Sequence, residues 1–168
     1  PQSIALWGRL PVRTNLEILG RLAGLPRHEV AAAVTDALEW SGLADRAGEP
    51  VESLSGGMQR RINIAAGTLH RPDLLLLDEP TVGLDPVARQ AVHRVLEGLR
   101  DRGMSLILTT HDLVEAEALA DRVAVLGKGR IVGIGSMTEL SHSDDPLVRQ
   151  YFHGPRGRAA LEQEWKRK

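Results

Sequence analysis

The sequence predicts an α/β chain: a helical subdomain over the first 70 residues, then strands alternating with helices around a mostly parallel sheet. Three observations carry this. Val30, Val34, Leu38 and Leu43 stand near helical spacing in the first stretch. Leu74-Leu75-Leu76-Leu77 is a continuous apolar run, the pattern of a parallel strand buried on both faces. Beyond it, helix and strand patterns alternate in the order that crossover-linked parallel strands require.

Residues 1–12 read as loop, punctuated by Pro1 and Pro11. Thr14-Asn15-Leu16-Glu17 has the form of a capping box: the Thr14 hydroxyl accepts from the amide three residues on and Glu17 reaches back. An amphipathic helix to about Ala23 is expected, stopped near Gly24 and Pro26. A second helix covers about 28–42. Ser55 is a natural N-cap for a third, from about Gly57 to Leu69. After the leucine strand come a helix at about 87–102 and a strand at Met104–Thr110. A helix at about 112–120 follows, then strands at 122–126 and 130–134 joined through Gly127-Lys128-Gly129. A short helix at 145–153 and a charged tail end the chain. Residues 1–70 are thus expected to form a helical subdomain, 71–140 half of a nucleotide-binding core, and 141–168 a terminal helix and tail.

Hydrophobic residues at 42% and charged residues at 26% are ordinary for a globular protein. A net charge of -1 offers no basic excess for nucleic acid. The chain has no cysteine, which excludes disulfides and thiolate metal sites. No apolar stretch approaches the roughly 18 residues of a membrane span, so membrane contact is expected through a partner.

Chemistry concentrates at two strings. Asp78 and Glu79 end the leucine strand, and the carboxyl ends of parallel strands are where α/β sheets bind ligands. Phosphoryl transfer needs a hard oxygen ligand for Mg²⁺ and a group that orients water. Asp78 suits the first role and Glu79 the second. Alone, an Asp-Glu pair also serves simply to end a core strand. At the other string, Ser55 caps a helix whose Gly56-Gly57 start lets backbone amides approach an anion. The helix dipole points at the same place, a combination that favours a γ-phosphate.

Leu54-Ser55-Gly56-Gly57-Met58-Gln59-Arg60 resembles the signature motif of the ATPase subunits of ABC transporters. Leu74 to Pro80 resembles their Walker B strand, and Gly83-Leu84-Asp85 their D-loop. His111, ending the next strand, is similar to the switch histidine that contacts the γ-phosphate. Pro1-Gln2, placed before Ser55 by about the length of the family's helical subdomain, resembles the Q-loop. The resemblance covers residues 2 to about 153. It implies a partial P-loop NTPase (RecA-like) core with an ABC helical subdomain, using ATP and Mg²⁺. Glu79 and His111 would be catalytic, Asp78 and Gln2 would hold the Mg²⁺ shell, and Ser55, Gly56, Gly57, Gln59 and Asp85 would meet nucleotide. The signature residues would reach ATP held by a second ATPase subunit, in a homodimer, and closure would drive transmembrane permease subunits. Such a protein sits on the cytoplasmic face of the inner membrane.

No G-x-x-x-x-G-K-[ST] loop occurs in these 168 residues. The expectation is that it precedes Pro1 in a longer protein and that this chain alone turns over no ATP. Gly127-Lys128 is not that loop, because a strand follows it and Arg122 stands where the earlier glycine belongs. The tail from Arg156 to Lys168 mixes acids with bases and reads as a solvated end. Leu16-Glu17 onward to Leu69, and Leu108 to Asp112, look like the ABC-2-type exporters of drug resistance. Asp144 to Arg158 looks instead like the ATPases of Mla/Mce phospholipid transporters. Either branch implies a hydrophobic or lipid-like substrate. A non-transport ABC-type ATPase of repair or translation, and a regulatory α/β domain, are the alternatives. The first usually carries a coiled-coil insertion or a second cassette, and neither occurs here.

Overall fold

Helix α1 (Val12–Leu22) starts earlier than the Thr14–Glu17 pattern predicts in the computed structural model, which describes residues 5–153. Thr14 and Glu17 lie inside the helix, and its N-cap, Pro11, makes no side-chain cap bond. The cause is tertiary. The amides of Val12 and Arg13 donate to the carbonyls of Glu49 and Ala47, both at 2.9 Å. Two orphan donors of the first turn thus find partners in a loop distant in sequence. Asn15, fully buried, ties down the entry. Its Nδ2 donates to the carbonyls of Trp7, Leu10 and Pro11 at 3.0, 3.2 and 3.2 Å, and its Oδ1 accepts from the Trp7 amide at 2.8 Å.

Helices α2 (Arg27–Trp40) and α3 (Gly56–Thr68) pack with α1. Their shared core takes Val12 and Leu16 from α1, Val30, Val34 and Leu38 from α2, and Ile62 and Ala65 from α3. Leu43, Val51 and Leu54 close it from the short turns between α2 and α3. Each fully buried leucine contributes about 1.5–3 kcal/mol.

Strands β1 (Leu74–Asp78) and β2 (Ser105–Thr109) pair in parallel, with Leu74 opposite Ser105 and Asp78 opposite Thr109. Helix α4 (Pro86–Asp101) is the crossover that parallel pairing demands, and it buries Val92, Val95, Leu96 and Leu99. The expected burial of β1 on both faces is not met. Leu75 and Leu77 are half-buried, whereas Leu76 is 66% exposed and its neighbour Ile107 55%. The helices cover one face only: Leu75 lies against α3 at Gly67, where an added Cβ would be 3.5 Å from its Cδ1.

These elements form one compact unit, ending at Thr109; a second begins at Thr110. It contains α5 (Leu113–Leu119), β3 (Val123–Gly127), β4 (Arg130–Gly135), α6 (Met137–Ser141) and α7 (Pro146–His153). Strands β3 and β4 pair antiparallel in a sheet of their own. Lys128 and Gly129, at φ 51 and 74, make the two-residue turn between them, as a type I′ hairpin requires. Gly127-Lys128-Gly129 is therefore a turn, as expected. Leu113, Val125, Leu140, Val148 and Phe152 form this unit's core. Among the described residues no helix is long and apolar enough to cross a membrane. Gln2 and the tail from Arg156 lie outside the described residues.

Candidate functional site

Two clusters gather most of the residues singled out by sequence. The first is the end of β1. Asp78 is exposed and Glu79 half-buried, while the following Pro80 and Thr81 are buried and anchor the turn. Glu79 adopts φ 43, a left-handed backbone that a side-chain-bearing residue rarely holds and that gathers at functional sites. The turn continues through Val82 N–H to the Glu79 carbonyl at 3.3 Å and Leu84 N–H to the Thr81 carbonyl at 3.2 Å. Thr109 faces both acids from β2. Its hydroxyl donates to Asp78 Oδ1 at 2.5 Å, and the Glu79 amide donates to the same hydroxyl oxygen at 3.2 Å and to the Thr109 carbonyl at 3.1 Å.

The second cluster is the start of α3 beside the start of α4. Ser55 is the N-cap of α3, its Oγ accepting from the Met58 amide at 3.4 Å. Ser55 and Gly56 are exposed and Gly57 is buried. A Cβ on Gly56 would sit 4.0 Å from Leu84 Cδ2, which places the signature start beside the Gly83-Leu84-Asp85 loop. The Gln59 side-chain Nε2 donates back to the Leu54 carbonyl at 2.9 Å, bracing the residue before the cap. Asp85 caps α4, with Oδ1 accepting from the amides of Val87 and Ala88 at 2.9 and 3.0 Å. One turn along α3, Arg61 donates to the Ser41 carbonyl at 2.7 Å. Burial, ahead of the nearby Arg94, holds its pKa below the ordinary arginine range.

His111, the second residue of the second unit, is exposed in the segment between β2 and α5. The Asp112 amide donates to Thr110 Oγ1 at 3.0 Å, and Asp112 Oδ1 caps α5 by accepting from Val114 N–H at 2.9 Å. His111 thus leads directly into a capped helix.

Among the described residues no cluster of three or more acids and histidines could by itself hold a metal ion. Mg²⁺ keeps several waters and takes one or two carboxylates plus substrate phosphates rather than a protein cage. Asp78 is an exposed carboxylate of that kind.

Residues 1–82 match the family described as ABC transporter. The chain is 41% identical over 140 residues to the linearmycin resistance ATP-binding protein LnrL of Bacillus subtilis, covering 83% of this chain and 45% of that protein. It is 43% identical over 144 residues to Nod factor export ATP-binding protein I of Burkholderia thailandensis, 86% of this chain and 47% of that one. It is 40% identical over 149 residues to the daunorubicin/doxorubicin resistance ATP-binding protein DrrA of Streptomyces peucetius, 88% and 45% respectively. This chain belongs to the ABC transporter family. It spans less than half the length of these relatives.

Two residues of this ABC protein that sequence reasoning passed over touch the clusters directly. Thr109 bonds the Asp78 carboxylate and the Glu79 main-chain amide of the first. Ala88 lies against Gly57 in the second. The only signal for Thr109 was a hydroxyl near a strand end, shared with Thr110, and nothing local marks Ala88.

Proposed function

We propose that this chain belongs to an ATP-hydrolysing subunit that powers an ABC exporter. The observation that carries the proposal is the presentation of Asp78 and Glu79 side by side at the carboxyl end of a parallel strand, with Glu79 in a left-handed turn. Asp78, with Gln2, would hold Mg²⁺, and the ion supplies charge neutralisation at the β- and γ-phosphates. Glu79 accepts a proton from the attacking water and orients it. His111 donates to the γ-phosphate. Residues 1–70 act as helical subdomain, 71–140 as half of the ATPase core, and 141–168 as a terminal helix and tail.

Ser55, Gly56 and Gly57 offer amides and a helix N-terminus to an ATP held by a second, identical subunit. Gln59, bonded to the Leu54 carbonyl, braces that loop, and Asp85 contributes from the D-loop. Two subunits arranged head to tail close on two nucleotides, and because closure binds ATP better than the open form, ATP shifts the population of the attached permease. On this reading the protein would sit peripherally on the cytoplasmic face of the inner membrane. The relatives' names speak of linearmycin resistance, daunorubicin/doxorubicin resistance and Nod factor export. That likeness supports the exporter branch over the Mla/Mce type, and we propose a hydrophobic or lipid-like substrate.

The test is ATP turnover by the whole protein. Glu79→Gln keeps the shape of the side chain and removes the base, so turnover should fall by about 10²–10⁴-fold. ATP should remain bound in a closed dimer visible by size. Turnover equal to the parent's would remove Glu79 from the role of base.

A further inference from the structure

Thr109 closes β2 directly opposite Asp78 in the parallel register. A hydroxyl carries a single proton, and here it goes to Asp78 Oδ1 at 2.5 Å, the length of a charge-assisted bond to a carboxylate. With that proton committed, the oxygen's lone pairs face the Glu79 amide, which donates to it at 3.2 Å. The same amide also reaches the Thr109 carbonyl at 3.1 Å, so Glu79 N–H is shared between two oxygens of one residue. One side chain therefore touches both neighbouring acids at the point where the backbone of Glu79 turns left-handed.

We infer that Thr109 is a positioning residue for ATP hydrolysis. Its hydroxyl fixes the rotamer of Asp78 by holding Oδ1, which leaves Oδ2 for the metal. It also pins the Glu79 backbone in the turn that aims the carboxylate at water. The inference rests on the roles given above to Asp78 and Glu79. It predicts a functional effect without a folding effect. Thr109 is exposed, and the Glu79 amide keeps its main-chain partner when the hydroxyl is removed.

The experiment compares Thr109→Val, which keeps the branched shape and loses the hydroxyl, with Thr109→Ser, which keeps the hydroxyl. Both are made in the whole protein beside Glu79→Gln. Thr109→Val should lower kcat for ATP, read at saturating Mg²⁺ and ATP, about 10–100-fold, as removal of an outer-shell partner does. Mn²⁺ binding with a non-hydrolysable ATP analogue, followed by electron paramagnetic resonance, should weaken by about tenfold or more in the same variant. Thermal unfolding should be unchanged, and Thr109→Ser should restore both kcat and Mn²⁺ binding. A Thr109→Val protein with the parent's kcat and Mn²⁺ affinity overturns the inference, as does a serine variant as impaired as the valine. If Glu79→Gln still turns over ATP, the reading of Glu79 falls and takes this inference with it. An inactive Glu79→Gln beside a fully active Thr109→Val overturns the role of Thr109 alone.

Discussion

A Cβ placed on Gly57 would lie 2.6 Å from the Cβ of Ala88 and 3.4 Å from its Cα. The first turn of α3 therefore meets the first turn of α4 where one of them has no side chain. Gly57 is buried, and the glycine before it is exposed with only Leu84 Cδ2 at the edge of contact. The two glycines of the signature string thus answer to different demands. Gly56 leaves its backbone open to solvent, whereas Gly57 lets two helices close on one another. The same contact links the capped start of α3 to the loop that carries Asp85.

Gly57→Ala should therefore destabilise the protein. Over-packing a close contact costs about 1–3 kcal/mol. Replacing glycine within a helix returns about 0.5–1 kcal/mol, so the clash wins. Gly56→Ala, which meets only ordinary contacts, should be near neutral. Ala88→Gly added to Gly57→Ala should recover most of the loss, giving a coupling that a double-mutant cycle in urea reads directly. Equal unfolding midpoints for the two alanine variants would show that the close approach constrains nothing.

Asp85 combines a cap with a proposed nucleotide role, and substitutions can separate them. Its Oδ1 accepts from two amides of the first turn of α4, and Pro86 supplies a preset first helical residue. Asp85→Ala should cost about 1 kcal/mol, while Asp85→Asn and Asp85→Ser keep a capping oxygen and should stay near the parent. If the role at nucleotide is also real, all three lower ATP turnover although only alanine lowers the unfolding temperature. An alanine variant as stable as the parent would leave the cap without energetic weight.

What the sequence made legible was local. The α3 start followed from Ser55 and the glycines after it, and the hairpin turn from Gly127-Lys128-Gly129. In both, the signal and its cause lie within a few residues. The start of α1 departs from the local pattern because its first amides bond to carbonyls at Ala47 and Glu49, and Asn15 serves as a buried hub rather than part of a capping box. The leucine run announced strand β1, yet what covers each face depends on neighbouring elements, and Leu76 is exposed. At the site, Asp78 and Glu79 were legible as a string. Thr109 was not, because only the β1–β2 register decides which of two adjacent threonines faces Asp78.

A pH response is expected at the start of α6, in the second unit. Ser136 Oγ accepts from the Glu139 amide at 3.2 Å, while Glu139 Oε2 accepts from the Ser136 amide at 2.7 Å and its hydroxyl at 3.1 Å. The Ser136 backbone bond first, and its hydroxyl second, hold the Glu139 carboxyl below the ordinary glutamate value of 4.5. A group whose pKa is depressed by folding stabilises the folded form fully above its unfolded value and loses that contribution as pH falls through the folded one. Acidification below 4.5 should therefore loosen the capping box, seen as a shift of the Ser136 amide resonance and faster exchange at Leu140. Glu139→Gln removes the titrating group and should flatten the response. A Ser136 resonance that does not move on acidification, or one that titrates equally in the glutamine variant, would assign the depressed carboxyl no part in holding this helix start.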